Sequence, residues 1–371
     1  MTSSNKWIWQ HKEWPKFTWD DVELAPILRE INQLQGKLLG QTEGMDLQQP
    51  ELDALLQNAI NTSAIEGEDL NVESVRSSLA KQLGVEQAGL PPGTPQSDGL
   101  AELLIDATHH YDVPLTKDRL FQWHRALFPM GQSGLTPIRV VQLRGAEPMQ
   151  VVSGPVGKRV IHFEAPPNEN LEKELDDFLS WFTQNQQQLD PVMRAGIAHL
   201  WFITLHPFDD GNGRIARAIS DLVLAQAEHR NIRFYAMAAT IMKNRQGYYN
   251  ILEETQRNGL IITRWLLWFA TMLKQTVLDA LERVHYVLLK AKFWQRHAQT
   301  TLSKRQIKAL NRLLDAGPGE FEGGLNARKY AGLTKVSKAT ATRDLIDLVS
   351  KGCLVKREPG GRSTSYDINW P

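Results

Sequence analysis

The stretch His206-Pro207-Phe208-Asp209-Asp210-Gly211-Asn212-Gly213-Arg214-Ile215-Ala216-Arg217 decides how this chain is read. Its twelve consecutive residues bring together a base, carboxylates, a glycine-bracketed turn and two arginines. Glycines on both sides of Asn212 permit positive φ and let backbone N–H groups approach a ligand with no Cβ in the way. The residues that follow open a helix whose N-terminal dipole favours anions, so a polyphosphate suits Gly211-Asn212-Gly213. Arg214 and Arg217 are three apart, share one helix face, and are expected to reach the same phosphate oxygens. Asp210 is the candidate ligand for Mg²⁺, an ion commonly held by one carboxylate plus substrate phosphates and water. His206 accepts a proton near neutral pH and is the candidate general base for an incoming hydroxyl. Phe208 is expected to anchor the loop in the core, Pro207 to shape the turn, and Asp209 to face solvent with no task. Taken singly, each residue has a plain structural reading as turn, ion pair or core histidine, and it is their conjunction that outweighs those readings.

Working outward, Pro191 to Leu205 is apolar along Val192, Ala195, Ile197, Ala198, Leu200 and Phe202, which predicts a buried helix ending at the loop. His199 on it is assigned to packing. Further upstream, Val151 to Phe163 carries two β-branched segments around Ser153-Gly154-Pro155 and Gly157-Lys158, which predicts a β-hairpin in a mainly helical chain. Thr116 reads as the N-cap of a helix carrying Leu120, Trp123, His124, Leu127 and Phe128. Pro91-Pro92-Gly93-Thr94-Pro95 reads as a loop. Leu52, Leu55, Leu56, Ala59 and Ile60 form one apolar helical stripe leading to Thr62-Ser63-Ala64-Ile65-Glu66-Gly67, where Gly67 could simply cap the helix.

The segment 206–217 closely resembles the signature HPFx(D/E)GNGRxxR of the Fic (filamentation induced by cAMP) family at every fixed position. Thr62 to Gly67 resembles that family's inhibitory pattern (S/T)xxxE(G/N), placed ahead of the signature as in class II members. The resemblance implies a helical Fic bundle with a β-hairpin flap and an enzyme that transfers AMP from ATP, with Mg²⁺, to a Tyr, Ser or Thr hydroxyl of a target protein or of itself. It implies His206 as catalytic base and Gly211, Asn212, Gly213, Arg214 and Arg217 as holders of the ATP phosphates. Glu66 would pair with Arg217 and hold the enzyme in a low-activity state. The flap, with Arg159, Val160, Ile161 and His162, would line the nucleotide and dock the target segment by strand addition. Asn250, after Tyr248 and Tyr249, sits where family members supply an asparagine to the nucleotide.

The 371 residues, 42% of them hydrophobic, can bury more than one core. The one cysteine, Cys353, excludes an internal disulfide and fits a reducing compartment. Residues 1–7 lack the apolar core of a signal peptide, and Gly259 to Leu273 is short and broken by Arg264, so a cytoplasmic protein without a membrane partner is expected. Net charge is zero, yet residues 301–371 hold 13 Lys or Arg against 7 Asp or Glu. There, three predicted helices are followed by two strands, Cys353 to Arg357 and Tyr366 to Ile368, with Pro359-Gly360-Gly361-Arg362 between them. This order resembles a winged-helix domain, with Ser337, Lys338, Thr340, Thr342 and Arg343 on or near its recognition helix. DNA binding and protein contact stand level here, since the charge surplus is modest.

The expected organisation is a tryptophan-rich N-terminal module over 1–40 (Trp7, Trp9, Trp14, Trp19) packed on the Fic body, an inhibitory helix region over 41–97, the Fic domain over 98–290 and a winged-helix-like domain over 300–371. Three functions remain open at this point. They are an adenylyltransferase restrained by Glu66, an enzyme of the same fold that removes AMP or moves another phosphate-containing group, and a nucleotide-sensing DNA-binding regulator. The pattern does not decide whether the chain is a homodimer, although dimerisation would bury or free the Glu66 helix.

Overall fold

The computed structural model describes residues 6–45, 48–85, 89, 91–154, 158–229, 235–319, 321–357 and 364–371. The chain is mainly helical and divides into two compact units, Met1–Ala280 and Leu281–Pro371. The expected break between 290 and 300 therefore moves. Helix α11, Thr263–Arg296, ends inside that interval, and the second unit begins earlier, within the helix.

In the first unit the N-terminal module starts with a short turn, Ile8–Gln10, and leads into helix α1, Asp21–Thr42, whose N-cap Asp20 accepts from the N–H groups of Val22 and Glu23. Trp7 is buried edge-on against Phe163, and the indoles of Trp9 and Trp14 donate to the Glu164 carbonyl at 2.7 Å and to Glu174 Oε2 at 2.9 Å. Trp7 buries its ring, and Trp9 and Trp14 pair their N–H groups, which fastens the module to the helical body.

Helices α2 (Gln48–Ile65), α3 (Val72–Leu83) and α4 (Pro95–His109) pack in sequence. Thr94 caps α4 and Pro95 is already its first residue, so the expected proline-rich loop ends one residue earlier than read. Thr116 caps α5, Lys117–Leu127, as predicted. After two short paired strands, β1 (Gln132–Ser133) and β2 (Thr136–Pro137), the predicted hairpin forms from β3 (Gln150–Ser153) and β4 (Val160–Glu164), with a register shift between Val151 and Val152. Its expected tip, Pro155 to Gly157, lies outside the described residues.

Helix α6 (Leu171–Gln184) leads to α7, which spans Pro191–Leu205 with Asp190 as N-cap and Pro191 at its first position. Every residue from Val192 to Leu205 is buried, as an apolar run without a polar face demands. Helix α8, Asn212–Glu228, packs closely on α7, and the loop 206–211 joins them. Helices α9 (Met237–Lys243) and α10 (Arg245–Arg257) precede α11.

The second unit carries α12 (Lys304–Ala316), α13 (Ala327–Thr334), α14 (Lys338–Ser350) and antiparallel strands β5 (Leu354–Lys356) and β6 (Tyr366–Ile368). Its core holds Phe293, Leu310, Leu313, Leu325, Tyr330, Leu345, Leu348 and Cys353. The order of helices and strands matches the sequence expectation, while Pro359 to Arg362 lie outside the described residues. Ser337, Lys338, Thr342 and Arg343 are exposed at the start of α14, and Thr340 is half-buried. Among the described residues no helix is long and apolar enough to cross a membrane.

Candidate active site

The loop between α7 and α8 is built from inside outward. Phe208 is fully buried and stacks on the His124 ring at 4.2 Å between centroids. Asn212 is buried, and its amide closes the loop by accepting from the Phe208 N–H at 3.0 Å and donating to the Phe208 carbonyl at 2.8 Å. The Asn212 side chain is therefore occupied by the fold, leaving backbone N–H groups at the α8 N-terminus to face an anion. Gly211 takes φ +81°, where a side chain would be strained and a Cβ would sit 2.8 Å from Phe128 Cε2. Gly213 differs from the expectation of two positive-φ glycines: it lies within α8, and its missing Cβ instead makes room for the Glu66 carboxylate.

His206 ends α7 in the left-handed region, φ 50° and ψ 56°, which costs a non-glycine residue about 1–2 kcal/mol. Arg144 helps to hold it there: the Arg144 Nε donates to the His206 carbonyl at 2.8 Å, and the Arg144 N–H donates to the Pro207 carbonyl at 2.9 Å. His206 Nδ1 lies 3.1 Å from the Ile203 carbonyl, so Nδ1 carries the proton and Nε2 the lone pair. Burial lowers the His206 pKa below the ordinary histidine value, which keeps the ring a base at neutral pH.

Glu66 follows the last turn of α2, and that turn is fixed by two donors to the Ile65 carbonyl, Arg245 Nε at 2.6 Å and Tyr249 Oη at 3.0 Å. Arg217 Nη2 donates to Glu66 Oε1 at 2.7 Å and to the Thr62 carbonyl at 2.9 Å, while its Nε donates to Thr62 Oγ1 at 2.7 Å. Thr62 and Glu66, four apart, thus meet one guanidinium from successive turns. Arg214 Nη1 donates to Glu68 Oε2 at 2.7 Å, and its guanidinium lies 5.0 Å from the centre of the Phe128 ring. Burial, partly offset by Arg214, raises the Glu68 pKa above the usual carboxylate value. Arg214 Nε and Nη2 and Arg217 Nη1 are buried donors without a hydrogen-bond partner. Such donors cost about 1–3 kcal/mol each, a cost that an anion's oxygens would remove.

A cavity of about 510 Å³ opens beside this loop, lined by Glu66, Ser153, His162, His206, Asp210, Asn212, Gly213, Tyr249, Asn250 and Glu253 among others. Asp210 accepts from the Gly211 N–H at 2.6 Å and from the Ser133 hydroxyl. Of the flap residues singled out in the sequence, His162 lines the cavity. Ile161 packs against the Trp7 and Phe163 cluster, Val160 is exposed, and Arg159 precedes the strand. The two arginines also part company with the expectation of a shared target. Arg214 lines a separate small cavity of about 20 Å³ with Glu68, Phe128 and Ser133, and Arg217 is turned to Thr62 and Glu66. Asp209 is not free in solvent as expected: it accepts from the Arg139 N–H at 2.8 Å and pairs with the Arg139 guanidinium at 3.3 Å.

Arg144, His124, Ser133 and Arg139 serve this site with no signal in the signature's spacing. They come from α5 and the irregular segment after it, where a lone polar residue in the sequence carries no periodicity to read.

The Fic/DOC family matches residues 114–224, and a domain of unknown function, DUF4172, matches residues 7–85. A uridine 5'-monophosphate transferase of Xanthomonas campestris pv. campestris is 31% identical over 30% of this chain and 21% of its own length. A probable protein adenylyltransferase of Aquifex aeolicus is 27% identical over 28% of this chain and 30% of its own. The protein adenylyltransferase Fic of Nematostella vectensis is 23% identical over 72% of this chain and 57% of its own. The chain thus spans well under two thirds of each of these relatives. Among solved structures, a Fic family protein from Desulfovibrio desulfuricans G20 superposes with a TM-score of 0.54 at 18% identity, covering 93% of this chain and 95% of that one. A Fic domain containing signaling protein from Bacteroides thetaiotaomicron gives 0.51 at 20% identity, covering 69% and 95%. These two share the fold.

Proposed function

We propose, from the match of residues 114–224 to the Fic/DOC family, that the chain transfers AMP from ATP to a Tyr, Ser or Thr hydroxyl of a protein and that Glu66 restrains it in the manner of class II members. The observation that carries this reading is the 2.7 Å pair between Arg217 and Glu66 beside the cavity that His206 lines. A carboxylate there occupies the buried cation best suited to a phosphate.

In the proposed reaction, the turn Gly211-Asn212-Gly213 holds the phosphates at the α8 N-terminus through the N–H groups of Asn212 and Gly213, while the Gly211 N–H serves Asp210 Oδ1 at 2.6 Å. Arg217 and Arg214 hold the outer phosphates once Glu66 and Glu68 give them up, and the buried unpartnered donors on both guanidiniums fit that role. Asn250 contacts the nucleotide and the flap docks the target segment. Asp210 is the residue that would hold Mg²⁺: it lines the cavity, and its two hydrogen bonds orient the carboxylate while leaving lone pairs for a cation. An ion whose shell is completed by phosphate and water needs no further protein carboxylate than Asp210. When bound, that ion supplies charge neutralisation to the phosphates. His206 Nε2 takes the proton from the target hydroxyl, the hydroxyl oxygen bonds to the α-phosphorus, and pyrophosphate leaves.

Incubation of the protein and of its Glu66→Gly and His206→Ala variants with α-phosphate-labelled ATP, Mg²⁺ and cell lysate tests this. The expected result is strong label with Glu66→Gly, weak label with wild type and none with His206→Ala. Equal label in all three, or none, sinks the assignment. The named activity of the Xanthomonas relative supports a second reading in which the donor is a uridine nucleotide. Labelled UTP run in parallel separates the two donors. AMP loss from a premodified protein that falls with Glu66→Gly would identify removal of AMP instead, with Glu66 aligning the attacking water.

A further inference from the structure

Ser153 ends strand β3 across the hairpin from His162 of β4. Its Oγ lies 2.6 Å from His162 Nε2, and His162 Nδ1 lies 2.6 Å from Glu253 Oε2 on α10. Glu253 is itself held by Arg257 Nη2 at 2.9 Å. A hydroxyl, a ring base and a carboxylate that orients the base make the arrangement that activates an alcohol as a nucleophile. With the Nδ1 proton donated to Glu253, Nε2 keeps its lone pair and the Ser153 hydroxyl is the donor. The pairing steps from Val151 with Phe163 to Val152 with Ile161, so His162 is the extra residue of the bulge, a place where a strand re-aims a side chain.

All three side chains line the cavity that also holds His206, Asp210 and Gly213. Two other residues lining it bear hydroxyls. Tyr248 is buried with its Oη 2.9 Å from His199 Nε2, and Tyr249 donates to the Ile65 carbonyl. Ser153 is exposed, and among the described residues lining the cavity it alone offers a solvent-facing hydroxyl against a base. A hydrogen bond that merely steadied the hairpin would need only the serine and the histidine; the carboxylate behind them fixes the tautomer that makes the serine reactive.

We propose that Ser153 is an acceptor within the chain itself, a self-adenylylation site activated by His162 and Glu253; the proposal rests on the nucleotide-transfer reading above. The Oγ proton passes to His162 Nε2, a bond forms from Oγ to the α-phosphorus of the nucleoside triphosphate, the bond from that phosphorus to the bridging oxygen breaks, and pyrophosphate leaves with its electron pair. The product is an AMP phosphodiester on the wall of the cavity.

The test incubates the full-length Glu66→Gly protein with labelled ATP and Mg²⁺, with and without lysate, and maps the modified peptides by mass spectrometry. AMP is expected on the peptide containing Ser153. When Glu66→Gly is combined with His162→Gln or Glu253→Gln, in proteins whose circular dichroism matches the parent, the ratio of Ser153 label to lysate-protein label is expected to fall, on the order of a hundredfold for the His162 change. Labelled lysate proteins with unmodified Ser153 overturn the inference and leave nucleotide transfer standing. Label on neither overturns nucleotide transfer and the inference with it. An unchanged ratio in both combined variants overturns activation by His162 and Glu253.

Discussion

The floor and the wall of the same cavity are built by opposite means. On the floor, Phe208 is 0% exposed, Asn212 2%, Arg144 3% and Arg217 4%, and the side chains of Asn212, Arg144 and Arg217 each donate to a backbone carbonyl, with Arg217 Nη1 left without a partner. On the wall, Val152 is 40% and Val160 54% exposed, and the ties to α10 are the hydrogen bond of His162 Nδ1 to Glu253 and those that Arg257 donates to the Ile161 and His162 carbonyls, open to water. A polar group unpaired on the floor has no water to replace its partner and costs about 1–3 kcal/mol, whereas an exposed pair contributes roughly 0–1 kcal/mol. The floor holds His206 and the turn at Gly211 in fixed geometry, and the wall is the side that tolerates local change.

The comparison can be broken most forcefully at Arg144. Arg144→Ala strands the carbonyls of His206 and Pro166 in the interior, and a loss of about 3–4 kcal/mol in urea unfolding is expected, with transfer activity falling alongside. Acidification probes the floor without mutation. Burial depresses His124 to about 4 and His199 to about 3. Their folded pKa values lie below that of free histidine, so the unfolded chain takes up protons first. Stability is full above about pH 6.5 and is lost as pH falls toward 4, by on the order of 3 kcal/mol for each ring. Melting temperature followed from pH 7.5 to 4.5 should drop steeply, and His124→Gln should flatten part of the slope; a flat profile for the unaltered protein would remove the contrast. The wall gives the smallest effect. Arg257→Ala should change unfolding free energy by less than about 1 kcal/mol, while raising the KM for the protein acceptor more than it lowers kcat.

The helix of α7 was legible from its dense apolar positions, Val192 to Phe202, and the turn at Gly211 from the residue type that tolerates its φ. The hairpin, the cap at Thr116 and the helix-helix-helix-strand-strand order of the second unit were legible for the same reason, because each is a local pattern. Helix α11 ends at Arg296, inside the interval where the sequence placed a boundary, while the compact units divide at Ala280 because the end of that helix packs into the second unit's core through Phe293. Asp209 was misread because its partner, Arg139, lies 70 residues away in an irregular segment.

The sequence by itself determined that a histidine, a carboxylate and a glycine-bracketed turn stand together in 206–217, since a helix end and a loop bring neighbours in the chain into one place. A family pattern in the sequence pointed Glu66 at Arg217, but only the tertiary structure decided that Thr62 shares that guanidinium, that Arg214 turns to Glu68 instead, and that Ser153, His162 and Glu253 fall into one line. Contacts of this kind depend on how α2, the flap and α10 pack around α8, and packing is set by the shape and burial of whole faces, which no local spacing records.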